Sequence, residues 1–260
     1  MKRALNRDSW FTIRQLADSL YGIGEFGHFE EVLSFLLIAQ DQAVLIDSGL
    51  GLYSMKEVVS RITDLPCSVL NTHSHFDHVG SNAEFSSCSL FDHPDTRRAA
   101  AEGFSEGFLE RWAQPEQFWG VAPVGTRSPY QIDPFPAALF FTDGQRLDYP
   151  ELTLEVLHTP GHSDDSVCFY EPRRGWLFAG DLIYDGPIFI ESDGGLKKYR
   201  NSLTRIAELK DLQRIFCSHN GFEISLLQFK QLYLTLQSFD HKELCQEIPV
   251  EGRMRLVPEH

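Results

Sequence analysis

The chain has 260 residues, of which 42% are hydrophobic and 23% are charged. This composition is typical of a globular protein and excludes a disordered one, and the length suits one large domain or two small ones. The formal net charge is −14 at pH 7. Because a phosphate backbone is bound by a concentrated basic surface, this charge argues against a nucleic-acid partner.

The N-terminal segment and the cysteines together favour a cytoplasmic location. Residues 1–16 carry positive charge without an apolar stretch behind it, which is not the pattern of a secretory signal. The most apolar stretch, residues 32–39, has the length of a strand, so we expect no membrane span. The odd number of cysteines and their spacing favour buried free thiols in a reducing compartment. They are Cys67, Cys88, Cys168, Cys217 and Cys245.

The first half of the chain predicts strands that lead into a histidine-rich loop. Two aliphatic runs at residues 32–39 and 43–49 are separated by a short polar turn, which is typical of a hairpin. A helix is predicted over residues 55–64, because apolar residues recur there at helical spacing. A short strand over residues 67–72 then runs directly into the sequence THSHFDHVG.

Residues 94–141 interrupt this rhythm and predict a helical insertion within a single domain that covers residues 1–260. Proline followed by aspartate at its start is a helix-start signal, and a proline-rich loop follows near its end. Either its aromatic side chains pack on the body of the protein, or they form a lid over a substrate pocket. These side chains are Phe104, Phe108, Trp112, Phe118 and Trp119.

The second half returns to strands and ends in a helix. Strands are predicted over residues 152–159, 166–172, 175–181 and 213–220, and helices over residues 202–212 and 223–239. Strands followed by a helix, repeated twice, predict an α+β fold in which two sheets pack face to face with helices outside. The leucines of the last helix leave two alternatives open, a homodimer face or a simple cover for the core.

The chemistry is concentrated in four residues that follow the strand over residues 67–72. Zinc takes imidazole and carboxylate ligands, and His73, His75, Asp77 and His78 supply them within six residues. Because residues i and i+2 share one face of a strand, His73 and His75 can bind one ion. The other two residues fall where the chain turns into a helix, from which they can reach a second ion.

Three further residues of ligand type follow later strands. His162 lies after the strand over residues 152–159, Asp181 ends the run GWLFAGD, and His219 follows the run QRIF. Each stands beside a glycine or another small residue at the exit of an apolar run, where functional residues are commonly carried. Together with the earlier four residues they predict a metal centre.

The order of these motifs, HxHxDH, TPGHS, GD and a late SH, resembles the metallo-β-lactamase superfamily from about residue 32 to residue 221. The resemblance implies a four-layer αββα sandwich and two metal ions, zinc first, with manganese or iron as alternatives. It also implies the ligands. One ion is held by His73, His75 and His162, the other by Asp77, His78 and His219, and Asp181 bridges them.

Features inside the superfamily narrow the implied function. The β-lactamases generally lack the bridging aspartate, which is present here as Asp181, and flavodiiron proteins carry an acid where this chain has His75. The resemblance therefore favours a hydrolase of small thioesters, esters or lactones. An acyl-CoA thioesterase is favoured, with an acyl-homoserine lactonase, a glyoxalase II-like hydroxyacylglutathione hydrolase and a metal-retaining binding protein without activity as alternatives. Tyr184, three residues after the bridging aspartate, also matches the thioesterase and lactonase groups.

The mechanism implied by this resemblance uses a hydroxide shared between the two ions to attack the carbonyl carbon. Asp77 is expected to accept and return the proton, and Tyr184 to hydrogen-bond the oxyanion or protonate the leaving group. Asp47 is expected either to orient a ligand histidine or to form a turn. Five other histidines are not expected to bind metal, although His28 could line the pocket. They are His28, His93, His158, His241 and His260.

Overall fold

The structure is a computed structural model that describes residues 10–119, 128–191, 194–239 and 247–258. The chain divides into two compact units. The first unit comprises residues 1–90 and 94–140, and the second comprises residues 91–93 and 141–260. The predictions for Cys245, His241 and His260, and for residues 120–127 of the insertion, lie outside the described residues.

The first unit is built on a seven-stranded sheet in which the strands follow chain order. Strands β1 to β4 pair antiparallel, and β4, β5 and β6 pair parallel. Strands β3 and β4 are almost entirely apolar and buried, which makes them the centre of this unit. The strands are β1 (Thr12–Ala17), β2 (Leu20–Gly24), β3 (Leu33–Ile38), β4 (Ala43–Ile46), β5 (Cys67–Leu70), β6 (Cys88–Phe91) and β7 (Ala137–Phe141).

Four short helices accompany this sheet. The helix predicted over residues 55–64 is present, but it ends at Ser60. It begins after Ser54, whose side chain accepts a hydrogen bond from the Glu57 amide. The helices are α1 (Met55–Ser60), α2 (Phe76–Val79), α3 (Pro94–Glu102) and α4 (Glu106–Leu109).

Most aromatic side chains of the insertion pack on the first unit. Phe118 is buried in a cluster with Trp10 and Phe76, and Trp112 packs against the same cluster. Trp119, by contrast, keeps 60% of its surface exposed. The alternative in which the aromatic side chains pack on the body therefore holds for Phe104, Trp112 and Phe118. It does not hold for Phe108 and Trp119, and the lid function stays a prediction.

The second unit contains a six-stranded sheet in the order β14-β13-β11-β10-β9-β8 and a three-stranded sheet in the order β12-β16-β15. The four predicted strand runs are confirmed as β9, β10, β11 and β13. The strands are β8 (Arg146–Tyr149), β9 (Leu152–His158), β10 (Val167–Glu171), β11 (Trp176–Phe178), β12 (Pro187–Ile190), β13 (Arg214–Phe216), β14 (Glu223–Ile224), β15 (Ile248–Glu251) and β16 (Met254–Pro258).

Two long helices pack in the second unit with bounds that differ from the prediction. Helix α5 (Gly195–Ala207) begins seven residues before the predicted start, after the left-handed turn at Gly194. Helix α6 (Leu226–Ser238) begins three residues late, because Ser225 and Gln228 form a capping box and the two residues before Ser225 form β14. Leu227 and Leu234 of α6 are exposed, which is compatible with the homodimer face that stays a prediction.

Two further predictions from composition can be compared with the structure. Within the described residues, none of the helices combines the length and hydropathy that a bilayer span requires. The four described cysteines are free thiols, and Cys88, Cys168 and Cys217 are buried as predicted, whereas Cys67 is half-buried. Cys168 is fully buried, and burial raises the pKa of its thiol to about 12, so it is an inert part of the core.

Two glycines bring the loop after β4 against the end of helix α2. Gly51 has a φ of +74°, and a Cβ atom added to it would lie 2.2 Å from the carbonyl oxygen of Gly80. The Gly80 amide in turn donates to the Gly49 carbonyl at 2.9 Å. A side chain at position 51 would therefore push apart two backbone segments next to the histidine-rich motif.

We predict that Gly51→Ala lowers the free energy of unfolding by at least about 2 kcal/mol, since the left-handed backbone and the backbone clash add together. Urea denaturation measures this change. The matched control is Gly107→Ala in α4, where an added Cβ meets nothing within 4 Å. That control should stay within about 1 kcal/mol of the wild type. Equal stability of the two variants would contradict the close contact between the Gly51 loop and α2.

Candidate metal centre

The first group of ligand-type residues lies just after β5, in the first unit. We call His73, His75, Asp77 and His78 the motif group. The ring centroid of His73 lies 4.5 Å from that of His75 and 4.0 Å from that of His78. Asp77 Oδ2 lies 3.6 Å from His78 Nε2. The four side chains are thus brought together within one unit, as predicted.

The local backbone differs from the prediction in one respect. Strand β5 ends at Leu70, so His73 and His75 lie in the loop after the strand and not on its face. Helix α2 begins directly after His75 and carries Asp77 and His78 in its single turn. The pairing of His73 with His75 therefore comes from this sharp loop, whereas the predicted turn into a helix is confirmed.

Asp47 orients side chains of the motif group, which is one of the two roles predicted for it. It follows β4 with a φ of +58°, and its Oδ2 accepts a hydrogen bond from His78 Nδ1 at 2.9 Å. Its carboxylate also accepts from the amide and the hydroxyl of Thr72, each at 2.8 Å. Because a carboxylate only accepts, Nδ1 of His78 carries the proton and its Nε2 presents a lone pair.

The same reasoning extends to His73 through Thr72. The Thr72 hydroxyl has one proton, which it donates to Asp47. His73 Nδ1 must then donate its proton to the Thr72 hydroxyl oxygen, at 3.1 Å. His73 therefore also presents Nε2 as a lone pair, which is the protonation state that a metal ligand needs.

Amide side chains that the sequence analysis did not single out hold the backbone of the motif. The His78 carbonyl accepts hydrogen bonds from Asn71 Nδ2 and from the Ser48 amide, both at 2.8 Å. Asn82 Nδ2 donates to Asn71 Oδ1 at 2.9 Å, and the Ser48 hydroxyl donates to Asn82 Oδ1 at 2.8 Å. The only signal in the sequence was the position of the two asparagines at either end of the motif.

The second group of ligand-type residues follows three strands of the six-stranded sheet in the second unit. We call His162, Asp181 and His219 the second group, and all three are buried. They follow β9, β11 and β13, respectively, as predicted. Asp181 Oδ2 lies 3.1 Å from His219 Nε2 and 3.5 Å from His162 Nε2. One carboxylate oxygen is thus shared between two imidazoles.

The protonation of His162 follows from its other nitrogen. Its Nδ1 lies 3.0 Å from the Phe189 carbonyl, which only accepts, so Nδ1 carries a proton. In a neutral imidazole Nε2 then carries a lone pair, and it lies 3.5 Å from Asp181 Oδ2. The same arrangement joins His78 Nε2 and Asp77 in the motif group. A proton or a cation between the two acceptors would stabilise such a buried pair, and a divalent cation fits imidazole and carboxylate ligands of this kind.

Tyr184 lies beside the second group. Its ring centroid is 5.1 Å from that of His219, and the side chain is buried. The hydroxyl donates to the carbonyl of Pro187, at the start of β12. The predicted role of Tyr184 in catalysis stays a prediction, and the same holds for the proton transfer by Asp77.

Glu25 is a buried acid that the sequence analysis did not identify. Its Oε2 accepts from Trp10 Nε1 at 2.5 Å, and its Oε1 accepts from the Leu50 amide at 2.8 Å. Tyr130 donates to the Leu50 carbonyl at 2.6 Å, so both the amide and the carbonyl of Leu50 are hydrogen-bonded. Burial raises the pKa of the Glu25 carboxyl from 4.5 to about 7, and the nearby charge of Asp77 adds to the rise.

The remaining histidines of the described residues have other contacts. His28 has no exposed surface; its Nδ1 accepts from the Glu30 amide at 3.3 Å and its Nε2 donates to the Trp112 carbonyl at 2.8 Å. The suggestion that His28 lines the pocket was therefore wrong, because the side chain is used inside the first unit. His158 stacks on Phe91 with centroids 4.3 Å apart.

Comparison with known proteins adds a family. A sequence profile described as the Metallo-beta-lactamase superfamily matches residues 29–219. The chain is similar to a protein from Bos taurus named acyl-coenzyme A thioesterase MBLAC2, with 26% identity over 90% of both chains. It is also similar to a hydroxyacylglutathione hydrolase from Trichodesmium erythraeum (strain IMS101), with 24% identity over 75% of this chain and 67% of the relative.

A solved structure supports the same fold. The crystal structure of a metallo-β-lactamase family protein from Thermus thermophilus matches with a TM-score of 0.62. The match covers 86% of this chain and 81% of that chain at 23% sequence identity. The predicted α+β fold class and the resemblance drawn from the motifs are therefore confirmed.

We predict that Glu25→Gln changes how stability depends on pH. The wild type has a stabilising contribution from protonated Glu25 that is complete below pH 4.5 and lost as the pH rises through about 7. Glutamine does not titrate. The free energy of unfolding of the variant, relative to the wild type, should therefore rise by roughly 2–3 kcal/mol between pH 5 and pH 8.

Urea denaturation of metal-free protein at several pH values measures this difference. Glutamine keeps only part of the hydrogen bonding to Trp10 and Leu50, so a constant loss of about 1 kcal/mol is expected at every pH. Glu110→Gln, at an exposed position on the same unit, reports the effect of removing a surface charge. Parallel stability curves for wild type and Glu25→Gln would show that the Glu25 carboxyl does not titrate in this range.

Proposed function

Because the chain belongs to the metallo-β-lactamase superfamily, we propose that it is a hydrolase of thioester bonds that uses two divalent metal ions. One ion is assigned to His73, His75 and His162, the other to Asp77, His78 and His219, and Asp181 is shared between them. The observation that carries this proposal is the paired acceptors in each unit, an imidazole Nε2 facing a carboxylate oxygen at 3.5–3.6 Å. Zinc is the proposed metal, since imidazole and carboxylate ligands suit it, and manganese or iron are compatible with the same ligands.

When bound, two divalent cations in one site supply hydroxide at neutral pH and polarise a carbonyl oxygen. The residues of the chain contribute the proton transfers and the orientation. Asp77 accepts the proton of the attacking water and returns it to the leaving thiolate. Asp47 and Thr72 keep the imidazoles of His78 and His73 in the tautomer that leaves Nε2 without a proton. Tyr184 hydrogen-bonds the oxyanion after its hydroxyl leaves the Pro187 carbonyl.

The thioester class is favoured by the relatives. The match to the relative named acyl-coenzyme A thioesterase extends over 90% of both chains, so it includes residues beyond the superfamily region 29–219. A second candidate is hydrolysis of a hydroxyacylglutathione, which is favoured by the relatives with that name at 24–28% identity. Both reactions release a thiol from a small substrate, and both suit a cytoplasmic protein with the buried free thiols of Cys168 and Cys217.

We predict that the zinc-loaded protein releases free thiol from acyl-CoA faster than from S-lactoylglutathione, and faster than it opens an acyl-homoserine lactone. A thiol-reactive dye follows the first two reactions, and acid release follows the third. Asp77→Asn should lower kcat by about 100-fold or more, since it removes the proton acceptor and one ligand. Asp143→Asn, which changes an acid of the second unit that pairs with Arg205, should leave kcat unchanged.

Each result has a defined meaning. Preference for S-lactoylglutathione would select the second candidate. Failure to hydrolyse any of the three substrates at full metal loading would contradict the proposed function and favour a binding protein without activity.

A further inference from the structure

An aromatic surface extends from the motif group towards the insertion. Phe76 lies between His75 and Asp77 in sequence, and its ring stacks on Trp112 with centroids 5.0 Å apart and planes 24° apart. The rings of Phe108 and Phe76 make an edge-to-face contact, with centroids 6.3 Å apart. We call Phe76, Phe108 and Trp112 the aromatic ledge. Phe76 neighbours His75 and Asp77 in sequence, so the ledge is joined to the motif group through the backbone of α2.

The ledge is held firmly from behind. Trp112 stacks on Phe29 at 5.6 Å, and its carbonyl accepts the hydrogen bond from His28. Leu109, next to Phe108 in α4, is fully buried and anchors that helix. Phe108 nevertheless keeps 43% of its surface exposed. Phe108 is therefore the exposed ring of the ledge, and the buried Phe76 and the partly buried Trp112 support it.

The guanidinium group of Arg111 lies over two rings of the aromatic ledge. The guanidinium carbon of Arg111 lies 5.0 Å from the ring centroid of Phe108 and 5.1 Å from that of Trp112. Such cation–π contacts hold the guanidinium in place while its N–H groups stay available as donors. Arg111 is exposed, and among the described residues it forms no ion pair, although Glu106 and Glu110 lie on the same short segment.

The net negative charge of the chain gives the position of Arg111 a consequence for substrate binding. With a formal net charge of −14, the protein repels an anionic substrate unless a local positive charge receives it. The thiols released in the proposed reaction carry negative charges, as phosphates in coenzyme A and as carboxylates in glutathione. Guanidinium groups bind both kinds of anion through paired hydrogen bonds.

Building on the proposed function, we infer that Arg111 and Phe108 bind the negatively charged leaving group of a thioester substrate. Arg111 pairs with an anionic group, and the exposed face of Phe108 packs against the uncharged part of the leaving group that precedes the sulfur. The acyl group is not part of this contact, so the two residues determine which thiol is accepted and not which acid.

The test compares two substrates with the same acyl group. One is an acyl-CoA, and the other is the corresponding thioester of N-acetylcysteamine, which is uncharged. For Arg111→Gln, we expect KM for the acyl-CoA to rise about tenfold, the loss typical of one charge-assisted hydrogen-bond pair, and KM for the neutral thioester to change less than about twofold. Arg111→Lys should recover part of the loss, because it keeps the charge without the planar fork.

A binding measurement separates this inference from the proposed function. Calorimetric titration of free coenzyme A into metal-free protein should show about tenfold weaker binding to Arg111→Gln than to the wild type. Arg98→Gln is the matched control, since Arg98 is also exposed but pairs with Asp95 at 2.5 Å. S-lactoylglutathione, run in parallel, distinguishes phosphate from carboxylate as the anion that Arg111 recognises.

The possible outcomes lead to different conclusions. Equal effects of Arg111→Gln on the charged and the neutral thioester, or none on either, would overturn the inference and leave the hydrolase intact. Hydrolysis of no thioester by the wild type would overturn the proposed function. In that case, unchanged coenzyme A binding by Arg111→Gln would overturn the inference as well, and weakened binding would support it.

Discussion

The hydrogen bonds of Asp47 are the constraint on which the rest of the first unit depends. One carboxylate receives His78 Nδ1, the Thr72 hydroxyl and the Thr72 amide, and Thr72 relays the effect to His73. A buried carboxylate is costly unless its oxygens are satisfied, so the position of Asp47 and the orientation of these imidazoles are mutually dependent. The parallel pairing of β4 with β5 brings the two chain segments side by side, where these bonds can form.

In both units one candidate ligand histidine is held by the same arrangement of hydrogen-bond acceptors. In each, an acceptor behind the ring binds Nδ1–H of a histidine, the carboxylate of Asp47 for His78 and the carbonyl of Phe189 for His162. The opposite nitrogen then faces a carboxylate oxygen, on Asp77 and Asp181 respectively. Fixing the tautomer in advance means that binding a metal does not have to displace a proton or reorient the ring.

The sequence allowed the candidate ligands to be predicted because their chemistry is local. A dense run of imidazoles and carboxylates after an apolar strand, and lone ligand-type residues after three later strands, are readable without tertiary information. Asp47 was predicted on the same grounds, as an acid at a strand end. Glu25 was not, since nothing near it in sequence indicates that Trp10 and Leu50 will enclose it. Such buried contacts arise from distant segments and have no local signature.

The bounds of the helices and strands also depend partly on local sequence and partly on tertiary contacts. Helix α6 could be predicted, but its start is set by the side-chain capping of Ser225 and Gln228 and by the pairing of β14 with β13. The sheet of β12, β15 and β16 was missed, because its strands are short and β12 pairs with a strand 68 residues later, as in the pair Pro187 and Arg255. The aromatic ledge was predicted only as an aromatic insertion. Its relation to Phe76 and the position of Arg111 depend on tertiary packing.

The central proposal is that the motif group and the second group bind two divalent metal ions. Elemental analysis of protein reconstituted with zinc tests it most directly. The account predicts two zinc ions per chain. One zinc ion per chain at saturation, or none, would contradict it.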